Sequence, residues 1–70
     1  MPDDNRYAVR VDLASDGWQV RILDPDGRIV WDRGCEHEAE ARTHASTVRQ
    51  HIYWLSEPRF RRYYRLPETA

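Results

Sequence analysis

Between Glu36 and Ser56 runs the one long stretch of this chain with unbroken helical periodicity, and it limits what the rest can become. Ala41, Ala45, Val48, Ile52 and Leu55 follow one another at spacings of 4, 3, 4 and 3. That spacing lays a single apolar stripe along one face of an amphipathic helix. No Gly or Pro interrupts it, and Pro58 forbids smooth continuation. Glu36, Glu38 and Glu40 crowd its start, where the helix dipole favours anions. Cys35 stands at the capping position with Glu38 three residues on, a weak form of a capping box. Glu38 and Arg42 are an i,i+4 ion pair. The helix would be roughly 30 Å long, about the width of a small domain. Two alanines open the stripe, so its first half can lie close against a sheet.

The residues before it supply that sheet. From Arg6 to Leu13 the chain alternates, with Tyr7, Val9, Val11 and Leu13 on one side and Arg6, Ala8, Arg10 and Asp12 on the other. Residues 14–17 carry Ser, Asp and Gly and read as a turn. Trp18 to Asp24 is a second strand with Trp18, Val20 and Ile22 inward and Gln19, Arg21 and Leu23 outward. With 14–17 as the loop, Leu13 meets Trp18, Val11 meets Val20 and Val9 meets Ile22, so the apolar faces coincide. Asp24-Pro25-Asp26-Gly27 is the strongest turn signal in the chain. A third strand follows over Arg28–Arg33, with Ile29 and Trp31 inward, Arg28, Val30 and Asp32 outward, and Gly34 ending it. The segment Glu57–Leu66 reads either as a short helix with Phe60 and Tyr64 on one side or as an irregular return, the helix being preferred.

The expected fold is therefore α+β: a three-stranded antiparallel meander packed on one long helix, followed by a short C-terminal helical or irregular segment. Seventy residues allow one domain, placed at 6–66, with disordered tails at 1–5 and 67–70. A hydrophobic share of 40% with three Trp and four Tyr argues against global disorder. A single Cys excludes an internal disulfide framework. No apolar run is long enough to span a membrane, and the polar, acidic opening is unlike a signal peptide. A cytoplasmic protein without membrane contact is the default expectation.

Net charge is −1 but unevenly spread: residues 1–40 hold ten acids and five Arg, residues 41–70 six Arg and two acids. Such a split points to an interaction surface. Every basic residue other than His is Arg, which base composition explains, or a need for planar contacts to phosphate and carboxylate.

Two binding readings follow. In the first, Trp54 and Tyr53 lie off the apolar stripe on opposite flanks of the helix, and Leu23 and Val30 on the outer sheet face. Either residues 57–66 fold back over Trp54, or these four side chains meet another protein or a second copy of the chain, since Trp and Tyr concentrate at interface hot spots. An open sheet edge offers a further route to pairing. In the second, Arg59, Arg61, Arg62 and Arg65 surround Phe60, Tyr63 and Tyr64, phosphate-holding groups beside stacking rings for DNA or RNA. Arg10, Arg21 and Arg28 on the outer sheet face extend that surface. Arg10 and Arg21 would stand opposite each other, a like-charge pair calling for an anion or a neighbouring Asp.

Catalytic chemistry is not signalled. His37, His44 and His51 recur every seven residues along one flank, with Glu40 and Thr47 between. Two turns are a long reach for one metal ion, and three ordinary histidines at the border of core and solvent explain the stripe better. Cys35 at a helix N-terminus would have a lowered thiol pKa, or would simply cap. No cofactor or metal is expected. The expected role is a small non-catalytic protein-interaction or self-associating module, with nucleic-acid binding as the alternative.

Overall fold

A computed structural model describes residues 5–67, so most of both expected tails lies outside the described residues. The elements are β1 (Ala8–Ala14), β2 (Gly17–Leu23), β3 (Ile29–Cys35), α1 (Glu38–Trp54) and α2 (Glu57–Tyr64). The strands form an antiparallel sheet in the order β1-β2-β3, and α1 packs across one face. The pairs Leu13–Trp18, Val11–Val20 and Val9–Ile22 are as the alternation requires. Asn5, assigned by sequence to the tail, belongs to the domain: its Nδ2 donates to the Leu55 carbonyl (3.0 Å) and its Oδ1 accepts from the Tyr7 N–H (3.0 Å).

The core has two parts. Val20, Cys35, Ala41 and Ala45 form one, where the small helix residues bring α1 close to the sheet. Tyr7, Ile22, Val48, Phe60 and Leu66 form the other, and Val9 and Trp31 pack against both. Phe60 brings α2 into the second part, its ring 5.2 Å from Tyr7 and 5.0 Å from Tyr64. Arg6 fastens the same junction: its Nε and Nη2 donate to Glu57 (2.9 and 3.1 Å), and its backbone N–H donates to Glu57 Oε2 (2.7 Å). Pro58 lies in the first turn of α2, where its missing N–H costs nothing.

Four local expectations are corrected. Val30 is not an outward interface residue. Leu23 pairs with Ile29 while Ile22 pairs with Trp31, so Val30 is the extra residue of a β-bulge. The bulge breaks the alternation, lets both Val30 and Trp31 pack on the core, and turns Ile29 out to 48% exposure. Leu13, expected inward, is 72% exposed. Its row, Leu13–Trp18–Cys35, is level with the connection into α1, before the helix begins to cover the sheet. Cys35 does not cap: β3 runs on through Gly34 to Cys35, and the N-cap is His37. Glu40, three residues after His37, reaches back to the Glu36 N–H at 3.4 Å.

The turns follow local chemistry. The Gly27 N–H donates to the Asp24 carbonyl (2.9 Å), and the Asp24 N–H to the Arg28 carbonyl (2.9 Å). Asp24 is buried, and its Oδ1 accepts from the N–H groups of Asp26 and Arg28, both at 2.9 Å. At the other end of the chain, Leu66 N–H donates to the Arg61 carbonyl (2.8 Å) and Arg65 N–H to the Arg62 carbonyl (3.3 Å). That is a Schellman closure, normally built on Gly. Arg65 occupies its left-handed position (φ 55, ψ 45) at a steric cost. Arg65→Gly is expected to raise stability by about 1 kcal/mol in urea unfolding; a loss would mean that the arginine side chain itself holds the end of α2.

Candidate functional site

The end of the molecule formed by the last turn of α1 and by α2 carries the exposed aromatic groups. Tyr53 is 86% exposed, Trp54 71% and Tyr63 61%. The apolar stripe of α1 faces the sheet, so consecutive residues 53 and 54 must leave it on either flank. α2 docks through Phe60 and leaves Trp54 uncovered, because its N-terminal end is fixed at Arg6 and its C-terminal end at Leu66 in the second core.

The eight residues of α2 divide by face. Phe60 is fully buried. Tyr64 is a packed residue and not a free stacking face: its ring lies 5.6 Å from Trp31, 5.0 Å from Phe60 and 5.0 Å from Tyr63, and its hydroxyl lies 2.6 Å from His51 Nδ1. Burial pushes the Tyr64 phenol up to about 12, so it stays protonated at any ordinary pH. Arg59, Arg62, Tyr63 and Arg65 are exposed and Arg61 partly so. Among the described residues, none of these four arginines has a carboxylate within ion-pair distance. Two clefts, each of about 410 Å³, flank Arg62. One is lined by Leu55, Arg59, Arg62 and Tyr63, the other by Pro58, Arg61, Arg62, Arg65 and Leu66.

The remaining sequence-nominated residues lie elsewhere. Arg10 and Arg21 face each other across β1 and β2, and Asp12 Oδ2 accepts from both, at 2.8 and 3.0 Å. The like-charge pair is thus answered within the sheet, and the hydrogen bond from Arg10 leads the interactions that hold the Asp12 carboxyl below its usual range. Arg28 is exposed beside the β2–β3 turn, at the end of the sheet where Arg6 meets Glu57, but it lines neither cleft. Leu23 is half-buried on the outer sheet face next to Ile29. Of the proposed interface set, only Tyr53 and Trp54 are strongly exposed, on the last turn of α1, and neither lines the two clefts beside Arg62. Sequence reasoning missed the half-buried Leu55, the exposed Pro58 and the buried Leu66, whose places beside the clefts depend on where α2 docks.

Two of the three histidines pack on aromatic rings, and His37 is exposed at the N-cap of α1. His44 stacks on Trp31 (5.8 Å, 13° between planes), and His51 packs 4.5 Å from Tyr63. Among the described residues no three His, Cys, Asp or Glu side chains group to hold a metal. Burial leads the causes that push the Cys35 thiol pKa up, with Glu40 adding and Arg33 opposing, so the alternative of a lowered thiol pKa is not met.

Burial also leads the causes that lower the His44 pKa, with Arg33 adding and Glu40 opposing. The folded state thus prefers neutral His44, whereas the unfolded chain takes up the proton near pH 6.5. Below that pH the unfolded state binds more protons, so stability falls as pH falls from 6.5 towards the lower folded value. His44→Phe, which keeps the stack, is expected to flatten the urea-midpoint profile in that window. An unchanged slope would locate the titration elsewhere. At lower pH, Asp12 and Glu57, both held below their usual range by Arg hydrogen bonds, lose their contributions in turn.

No described helix is long and apolar enough to cross a membrane. Compared with known protein families, curated proteins and solved structures, the chain matches none.

Proposed function

We propose that this chain is a small non-catalytic binding module that engages another protein or a second copy of itself, through the end formed by the last turn of α1 and by α2. One observation carries the reading: Tyr53, Trp54 and Tyr63 remain 86%, 71% and 61% exposed in a domain of 70 residues with few large side chains to spare. Aromatic groups bury some 150–250 Å² each, so leaving three of them wet forfeits several kcal/mol unless a partner covers them. The neighbouring Arg59 and Arg62 complete the Trp, Tyr and Arg composition typical of interface hot spots.

Nucleic-acid binding is the second reading, favoured by Arg59, Arg61, Arg62 and Arg65 lacking described carboxylate partners. The packing of Tyr64 and the pairing of Arg10 and Arg21 with Asp12 weaken it.

Trp54→Ala should leave unfolding within about 0.5 kcal/mol of the parent, as for other exposed positions, while abolishing association seen by light scattering on a sizing column. A loss above ~2 kcal/mol would make Trp54 a packing residue and remove the reading. Adding short DNA and RNA should leave the parent's elution unchanged. A complex that forms with them and dissolves as salt rises would replace the protein partner with nucleic acid.

A further inference from the structure

The molecule is elongated, 38 × 22 × 17 Å, and its two ends differ in a complementary way. At one end the sheet closes in the row Leu13–Trp18–Cys35, beside the β1–β2 turn and the start of α1. Leu13 projects there at 72% exposure. Gly17 lies beside the Cys35 and Glu36 backbone, so Asp16, next to it in the turn, and Glu36 belong to the same end of the molecule. Asp16, Glu36, Glu38 and Glu40 are all exposed, against the guanidiniums of Arg33 and Arg42. At the other end, Leu55 and Tyr63 line a cleft of about 410 Å³ edged by Arg59 and Arg62. One end is an apolar knob beside carboxylates; the other is an apolar hollow beside arginines that have no described carboxylate partner.

We infer that the occupant of the Leu55–Tyr63 cleft is the Leu13 end of a second copy of this chain. The inference rests on the reading of this end as a protein-binding surface, and names what it binds. Leu13 enters the cleft, and Asp16 and Glu36 meet Arg59 and Arg62. The two surfaces are different patches, so the contact is heterologous. Each bound copy presents a fresh cleft, and assembly continues head to tail until it closes into a ring or grows as a chain. Opposite charges on the two patches steer the copies into register and disfavour like-end pairing.

Two variants of the full chain test this by sedimentation velocity. Leu13→Glu blocks the knob and keeps the cleft. Arg59→Glu with Arg62→Glu blocks the cleft and keeps the knob. Far-UV circular dichroism and urea midpoints, expected to match the parent because all three positions are exposed, establish that both variants fold. The parent should form species larger than a dimer as concentration rises, and should dissociate as salt is raised from about 0.05 to 0.5 M, where screening falls to a few ångströms. Each variant alone should be a monomer. Mixed in equal amounts, they should form a dimer and stop there, since one intact knob and one intact cleft remain to be joined.

A mixture that stays monomeric overturns the inference, as does a monomeric parent. A parent dimer abolished by Trp54→Ala but indifferent to Leu13→Glu overturns the head-to-tail contact and leaves the protein-binding reading standing. A monomeric parent that binds short single strands overturns both.

Discussion

Phe60→Ala is expected to lower the folding stability by about 3–5 kcal/mol at 25 °C. Phe60 has no solvent exposure and is the largest fully buried side chain in the domain. It contacts the core from α2, between Tyr7 before the first strand and Tyr64 one turn on. Removing a buried phenyl ring costs about 3–5 kcal/mol in transfer and cavity terms. A chain of this length holds roughly 0.05–0.15 kcal/mol per residue, or about 4–10 kcal/mol in all. The loss thus takes from roughly a third of the total to all of it. Urea unfolding followed by circular dichroism measures it, with Phe60→Leu as a milder companion. If Phe60→Ala lay within about 1 kcal/mol of the parent, below the range for core truncation, α2 would be an appendage and its surface would need another explanation.

Gly17→Ala is expected to cost on the order of 2–3 kcal/mol, by a different mechanism. The β1–β2 connection has only Ser15 and Asp16 between paired residues Ala14 and Gly17. Neither central residue has the positive φ that the favoured two-residue hairpin turns require. Gly17 takes φ +141 instead, restoring the course of β2 after an unfavoured turn. A Cβ there would sit 2.6 Å from the Cys35 carbonyl oxygen, a backbone atom of the neighbouring strand that cannot swing aside. Strain and collision therefore act together. The same substitution at Gly34, where an added Cβ meets nothing within 4 Å, is the control and should change stability by less than about 0.5 kcal/mol. Equal effects at both positions would refute the account of Gly17.

The meander and the helix were legible because their signals are local and repeated. The β1–β2 register follows from three apolar pairs that agree with one another, and it is observed. The stripe from Ala41 to Val48 is buried as its spacing requires. The Asp24–Gly27 turn depends on side chains that bond their own backbone, and it forms as read. Arg10, Arg21 and Asp12 were placed by the same parity, which is why Asp12 joins both arginines.

The errors all lie where a second element decides. Val30 and Ile29 exchange faces because a bulge opposite Ile22 and Leu23 shifts the parity, and alternation alone carries no mark of a bulge. Leu13 has the inward parity of β1 but no helix above it, since burial needs a neighbour as well as a facing direction. Tyr63 and Tyr64 are adjacent and chemically alike, yet one is exposed and the other is enclosed by Trp31, Phe60 and His51. The amino-acid sequence by itself determined the elements, their order and the register of the first hairpin, because periodicity and turn chemistry act within a few residues. Only the tertiary structure decided which aromatic and arginine side chains remain in water. That depends on where α2 docks, and its docking is set by contacts between residues some fifty positions apart: Arg6 with Glu57, and Tyr7 with Phe60.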